Sequence, residues 1–150
     1  MAESELPVEV NDPTALRHLA PGTPFTMGPL VNVYNNGTLG FLARREATSF
    51  CLPPELTFAS VATLAATGAG YGVDIEVWAF GRLPLAEAGV GALRLSPHTG
   101  DMVEVARLFR AAADGWMAPD EALAELAALA PERRFANGFL FGQSGAEWTH

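Results

Sequence analysis

Short apolar runs alternate with stretches of helical periodicity along the whole chain. Val8-Glu9-Val10 reads as a strand. Asn11-Asp12-Pro13 then supplies a cap and a first-turn proline for a short helix whose apolar face is Ala15, Leu16 and Leu19. After the turn Pro21-Gly22-Thr23-Pro24, a second strand is predicted from Thr26 to Tyr34, with Leu30, Val31 and Val33 as its core. Asn35-Asn36-Gly37-Thr38 breaks it and caps a helix from about Leu39 to Arg45. Ser49 to Leu52 reads as a short buried strand, ended by Pro53-Pro54.

Thr57 caps a third helix, with Phe58, Val61, Ala62 and Ala65 on one face, and Gly68, Gly70 and Gly72 close that unit. Ile75 to Phe80 and Ala92 to Leu95 complete a set of five strand candidates. Pro97-His98-Thr99 forms a loop. Asp101 caps a helix with Met102, Val105, Ala106 and Phe109 on one side, and Asp114-Gly115 stops it. A last helix runs from about Asp120 to Ala130, between Pro119 and Pro131. The tail from Phe135 to His150 is rich in glycine and aromatic residues and is hard to assign.

Strands alternating with helices imply crossover connections and a parallel sheet. The expected fold class is α/β: parallel strand–helix units in a single domain over 1–150, either partly barrel-like or an open sheet. The strands lack a clean two-residue alternation, which predicts helices on both faces. A closed barrel of such units needs eight strands. Open edges would favour pairing with another chain, a second copy included.

Composition agrees with a folded core: 49% of residues are hydrophobic and 17% charged. No apolar run reaches the roughly 20 residues of a membrane span. Met1 to Pro7 is acidic and has no hydrophobic signal region, so the expected compartment is the cytoplasm. Net charge is −8, and every basic residue is an arginine. That balance repels nucleic acid and anionic lipid.

Tests for familiar chemistry return few candidates. Gly68-Ala69-Gly70-Tyr71-Gly72 follows a helix and precedes a strand, the reverse of a dinucleotide loop. Gly89-Val90-Gly91 fails the same test. Gly142-Gln143-Ser144-Gly145 lacks the glycine spacing of a nucleophile elbow. His18, His98 and His150 have no mutual metal spacing. His98 lies in a loop after a strand, where α/β sites lie, but reads as structural. Cys51 is the one cysteine and reads as a buried structural thiol.

Glu55, held by two prolines, reads as a substrate-binding carboxylate or base, or as the dipole-complementing start of the next helix. Arg82 reads as an anion clamp or the partner of an acid. With the loop residues Asn32, Tyr34 and Asn35, these form the candidate substrate-binding set. No metal set and no complete catalytic set is visible.

An ordered series of segments adds to this. Gly28-Pro29-Leu30-Val31-Asn32-Val33-Tyr34-Asn35 is followed by Thr38-Leu39 and Cys51-Leu52-Pro53-Pro54-Glu55-Leu56. Then come Phe80-Gly81-Arg82-Leu83-Pro84-Leu85-Ala86, Leu93-Arg94-Leu95-Ser96-Pro97 and Asn137-Gly138-Phe139. The series resembles the collagenase-like peptidase family U32, and within it the UbiV-like branch that serves ubiquinone biosynthesis.

The resemblance implies a fold related to a (β/α) barrel and an accessory role in oxygen-independent ring hydroxylation. It also implies a UbiU-like partner and a [4Fe-4S] cluster on four cysteines. This chain departs from the pattern at the cluster. Ala86 runs directly into Glu87-Ala88-Gly89-Val90, where the resemblance implies a cysteine-bearing segment. The resemblance places the remaining ligand cysteine in an N-terminal part of the barrel, which is expected to be missing as well. Cys51 does not fall at an implied ligand position. No cofactor is therefore expected in this chain.

Overall fold

The computed structural model describes residues 7–78, 89–96, 100–130, 135–143 and 147–148. Among them lie five strands: β1 (Val8–Val10), β2 (Phe25–Met27), β3 (Ala47–Cys51), β4 (Asp74–Trp78) and β5 (Ala92–Arg94). They form one parallel sheet in the order β1-β2-β3-β4-β5. This is the predicted α/β class, and the sheet does not close into a barrel. The predicted end of β4 at Phe80 lies outside the described residues.

Local chemistry sets the boundaries. Asp12 accepts a hydrogen bond from the Thr14 N–H at 2.8 Å and caps a 3-10 turn over Pro13–His18. The second strand is much shorter than its apolar run suggested. Gly28-Pro29 ends it at Met27, because Pro29 has no N–H for a ladder and starts a 3-10 turn over Pro29–Val31. Leu30, expected in the core, is 72% exposed, whereas Val33 is buried as expected. Asn32 then takes a left-handed conformation (φ 59°) that redirects the chain.

Helix α1 (Asn36–Ala43) starts earlier than expected because Asn35 is its cap, accepting from the Thr38 N–H at 2.9 Å. Helix α2 (Phe58–Tyr71) is capped by Thr57, buries Val61, Leu64, Ala65 and Gly68, and ends on left-handed Gly72. Gly68 and Gly70 therefore lie within the helix. A Cβ on Gly68 would come within 3.2 Å of the Val73 carbonyl and of Ile75, so this glycine lets α2 sit close on β4.

Asp101 caps α3 (Met102–Ala113) by accepting from both Val103 and Glu104 N–H groups. The buried side of α3 is Val105, Leu108, Phe109 and Ala111; Ala106, expected there, is exposed. Helix α4 (Pro119–Leu129) packs against α3 through Leu126.

Strands added in one direction by right-handed crossovers place their helices on one face. The main core accordingly joins one face of the sheet (Val10, Met27, Phe50, Ile75 and Val77) to Leu39, Leu42, Val61, Leu64 and Ala65 of α1 and α2. This corrects the expectation of helices on both faces. It also reveals a two-residue alternation that the short strands had hidden. A bulge between Phe25 and Thr26 in the β2–β3 register, bridged by Thr48 Oγ1 donating to the Phe25 carbonyl, blurs the alternation further. A second core forms from Val105, Leu108, Phe109 and Leu126, with Leu93 and Leu95 packed against it. Among the described residues no helix is long and apolar enough to cross a membrane.

Candidate functional site

The face of the sheet turned away from α1 and α2 is polar. Register places Glu9, Thr26, Ser49 and Asp74 side by side across four strands, and then Cys51, Glu76 and Ala92 one step further along. Trp78 pairs with Arg94 on the same face. Sites in α/β proteins gather toward the carboxyl ends of parallel strands, and Cys51, Trp78 and Arg94 are each the last residue of theirs.

Arg94 organises this face. Its Nε donates to Glu76 and its Nη2 to Glu9, both as ion pairs, while Nη1 reaches Glu9 Oε1 at 3.5 Å. Its guanidinium carbon lies 5.9 Å from the centre of the Trp78 ring. Glu9 is further held by Asn11, whose Nδ2 donates to Glu9 Oε1 at 2.7 Å; Asn11 Oδ1 in turn accepts from the Leu30 N–H. Asn11 fits because residue 28 is glycine. A Cβ there would meet the Asn11 side chain at 2.1 Å.

These contacts set the charges. The Arg94 hydrogen bond holds the Glu9 carboxyl below the usual carboxylate range. Glu9 above all, with Glu76, raises Arg94 further above its ordinary value. Cys51 is 1% exposed and faces Glu76. Burial, reinforced by the Glu76 carboxylate, pushes its thiol up to about 12, so it stays protonated at neutral pH.

A second polar site holds most of the candidates read from the sequence. Tyr34 donates its phenol proton to Glu55, which holds that phenol above its ordinary range. Glu55 thus meets Tyr34, and Thr57, two residues on, caps α2. The reading of Glu55 as the start of that helix is corrected. Tyr34, Asn35, Asn36, Gly37, Ser60 and Thr63 line a cleft of about 550 Å3. Asn35 serves mainly as the cap of α1, and Asn32 is the exposed left-handed residue two positions before Tyr34. Arg82 and His98 lie outside the described residues. His18 accepts from Arg17 Nε at 3.3 Å on an exposed turn.

Glu9, Asn11, Glu76 and Arg94 were missed in the candidate set, and Cys51 was read as structural only. The signal was present as polar residues two apart in short strands: Glu9 and Asn11, Ser49 and Cys51, Asp74 and Glu76.

Among the described residues no three His, Cys, Asp or Glu side chains converge as a metal set. A four-iron cluster takes four ligands, as a rule cysteine thiolates. The one cysteine of this chain is buried, protonated and turned toward a carboxylate. The residues present do not fit such a cluster.

A family model described as Peptidase family U32 matches residues 7–90, which span β1 to the approach to β5. No curated protein and no solved structure matches the chain.

Proposed function

This chain belongs to peptidase family U32, and from that premise we propose that it is a cytoplasmic binding and assembly protein of the UbiV-like branch. In this reading it is an accessory to oxygen-independent ring hydroxylation in ubiquinone biosynthesis, works beside a UbiU-like partner, and carries no four-iron cluster of its own. The ordered segments from Gly28 to Gly138 support the branch.

The observation that carries the binding role is Arg94 pinned between Glu9 and Glu76 on the open face. A guanidinium fixed from two sides is a preorganised donor set, suited to recognition. The neighbouring thiol is held in the form that does not attack, since cysteine nucleophiles act as thiolates. The Tyr34 phenol is likewise kept protonated by Glu55. Each group is thus set to donate or accept hydrogen bonds at neutral pH. The outer strands β1 and β5 are the edges along which a partner chain, or a second copy, would add.

The test has three arms. The tagged chain is mixed with a UbiU-like protein, reconstituted anaerobically with iron and sulfide, and incubated with gelatin. The reading predicts capture of the partner, no stable stoichiometric cluster and no cleavage. A stable cluster, or gelatin cleavage abolished by a single substitution, would overturn it. So would failure to capture the partner.

A further inference from the structure

Two neighbouring arginines on the helical side of the sheet have vacant donors. Arg94, Arg107 and Arg110 each pair with a carboxylate. Arg44 and Arg45, just past the end of α1, pair with none among the described residues. Glu46, exposed beside them, makes an ion pair with neither. In a chain of net charge −8, adjacent cations without an acid are the exception.

Aromatic rings hold both of them. The Arg45 guanidinium sits over the Phe41 ring, 4.5 Å from its centre. Arg44 sits over Tyr71 of α2 at 5.8 Å, and its Nη1 donates to the Tyr71 hydroxyl at 3.0 Å. That hydroxyl rests on Gly40, where a Cβ would lie 2.7 Å from it. A guanidinium over a ring still turns its N–H edges outward. Arg45 makes no hydrogen bond through its side chain among the described residues, and Arg44 uses Nη1 alone. Both arginines are exposed, and Phe41 and Tyr71 are about half exposed beside them. Ring contact also reduces the freedom that an exposed arginine would lose on binding.

A carboxylate matches a guanidinium fork with two parallel hydrogen bonds. Two carboxylates flanking an apolar side chain would engage both arginines and cover the ring edges. A nucleic acid carries a charge at every nucleotide, so its backbone would run from these two cations onto the acidic remainder of the surface. A short protein segment ends before that. We propose that Arg44, Arg45, Phe41 and Tyr71 form a docking surface for an acidic segment of a partner protein, two carboxylates around an apolar residue. The proposal names a surface for the assembly role above and rests on it. This surface belongs to α1 and α2, not to the strand edges.

The probe is the end-blocked peptide Glu-Glu-Leu-Glu-Glu, titrated calorimetrically into the full chain. Salt is set at about 0.15 M, where charges beyond about 8 Å are screened. Saturable binding is expected, with none for Lys-Lys-Leu-Lys-Lys. Arg44→Gln/Arg45→Gln should weaken it at least about tenfold. Arg107→Gln/Arg110→Gln makes the same change in net charge elsewhere and should leave it unaltered. Arg44→Lys/Arg45→Lys keeps the charge without the fork, should bind at least about threefold more weakly, and serves if the glutamine pair does not fold. No binding of the acidic peptide overturns the proposal, as does equal loss in the two glutamine pairs or full binding by the lysine pair. Tighter binding of a short oligothymidine than of the peptide would point to nucleic acid and overturn it. Self-association of the chain that Arg44→Gln/Arg45→Gln abolishes would put a second copy in the partner's place, with the same consequence. Peptide binding without capture of the UbiU-like protein overturns the accessory role alone. Capture without peptide binding overturns this proposal alone.

Discussion

Arg94 at the end of β5 forms an ion pair with Glu9 in the middle of β1, although three strands separate theirs. In a flat parallel sheet these two edge strands would lie about 19 Å apart, at ~4.8 Å per step. One arginine and one glutamate cannot span that gap between them. The sheet must curl strongly toward its polar face, bringing its first and last strands within reach. Right-handed twist and helices packed on one face alone drive a parallel sheet in that direction. The curl joins polar side chains from both edges of the sheet into a single, partly exposed cluster.

The clasp makes stability depend on pH in a defined direction. Arg94 lowers the folded-state pKa of Glu9 below its unfolded value of about 4.3. A carboxyl lowered on folding adds stability that is present above the unfolded pKa and lost as pH falls through the folded one. The stability difference between the unaltered chain and Glu9→Gln should therefore be constant above about pH 5 and shrink toward pH 3. Urea unfolding across that range measures it. Half-molar salt should shrink the difference only in part, because the pair is only partly exposed.

Cys51 yields a prediction of opposite sign. Its folded-state pKa, raised to about 12, lies well above the unfolded thiol value. The folded chain then holds a proton that the unfolded chain releases, so stability falls as pH rises from about 8.5 toward the folded value. Iodoacetamide should label the native thiol at pH 8 at least about a hundredfold more slowly than the urea-unfolded thiol. Cys51→Ala should remove the alkaline loss attributable to this thiol. Its cost should be about 1 kcal/mol, as the small side chain leaves little space.

Gly28→Ala probes how the loop after β2 supports the cluster. The added methyl would strike the Asn11 carboxamide, which holds Glu9 in place. Loss of about 1–2 kcal/mol is expected from the displaced side chain and its hydrogen bonds. In the double variant Asn11→Ala/Gly28→Ala the second change should cost much less than it does alone. Additive losses would show that the contact between residues 11 and 28 is immaterial.

The sequence revealed what depends on neighbouring residues. Asp12, Thr57 and Asp101 were read as caps, and each accepts from backbone N–H groups in the first turn; the stretch from Asn35 to Thr38 was read as capping the next helix, and Asn35 is the residue that does so. Five strands and their parallel pairing followed from alternation with helices; their order in the sheet was not read. The second strand was overextended because Leu30 and Val31 look like core, while Pro29 settles the backbone. The pairing of Tyr34 with Glu55 was partly readable, since both lie in loops after strands. The Glu9–Arg94–Glu76 cluster was not. Its members are far apart in the chain, in strands of three to five residues where alternation shows for only one or two repeats. Glu76 and Arg94 meet across adjacent strands, and the curl of the sheet brings Glu9 to them.

A double-mutant cycle on Glu9→Gln and Arg94→Met tests the clasp most directly, with stability read from urea unfolding at neutral pH. A coupling energy of about 1–2 kcal/mol is predicted, above that of a fully exposed pair and below that of a buried one. Coupling indistinguishable from zero, in two variants that both fold, would mean that β1 and β5 are not joined across the polar face.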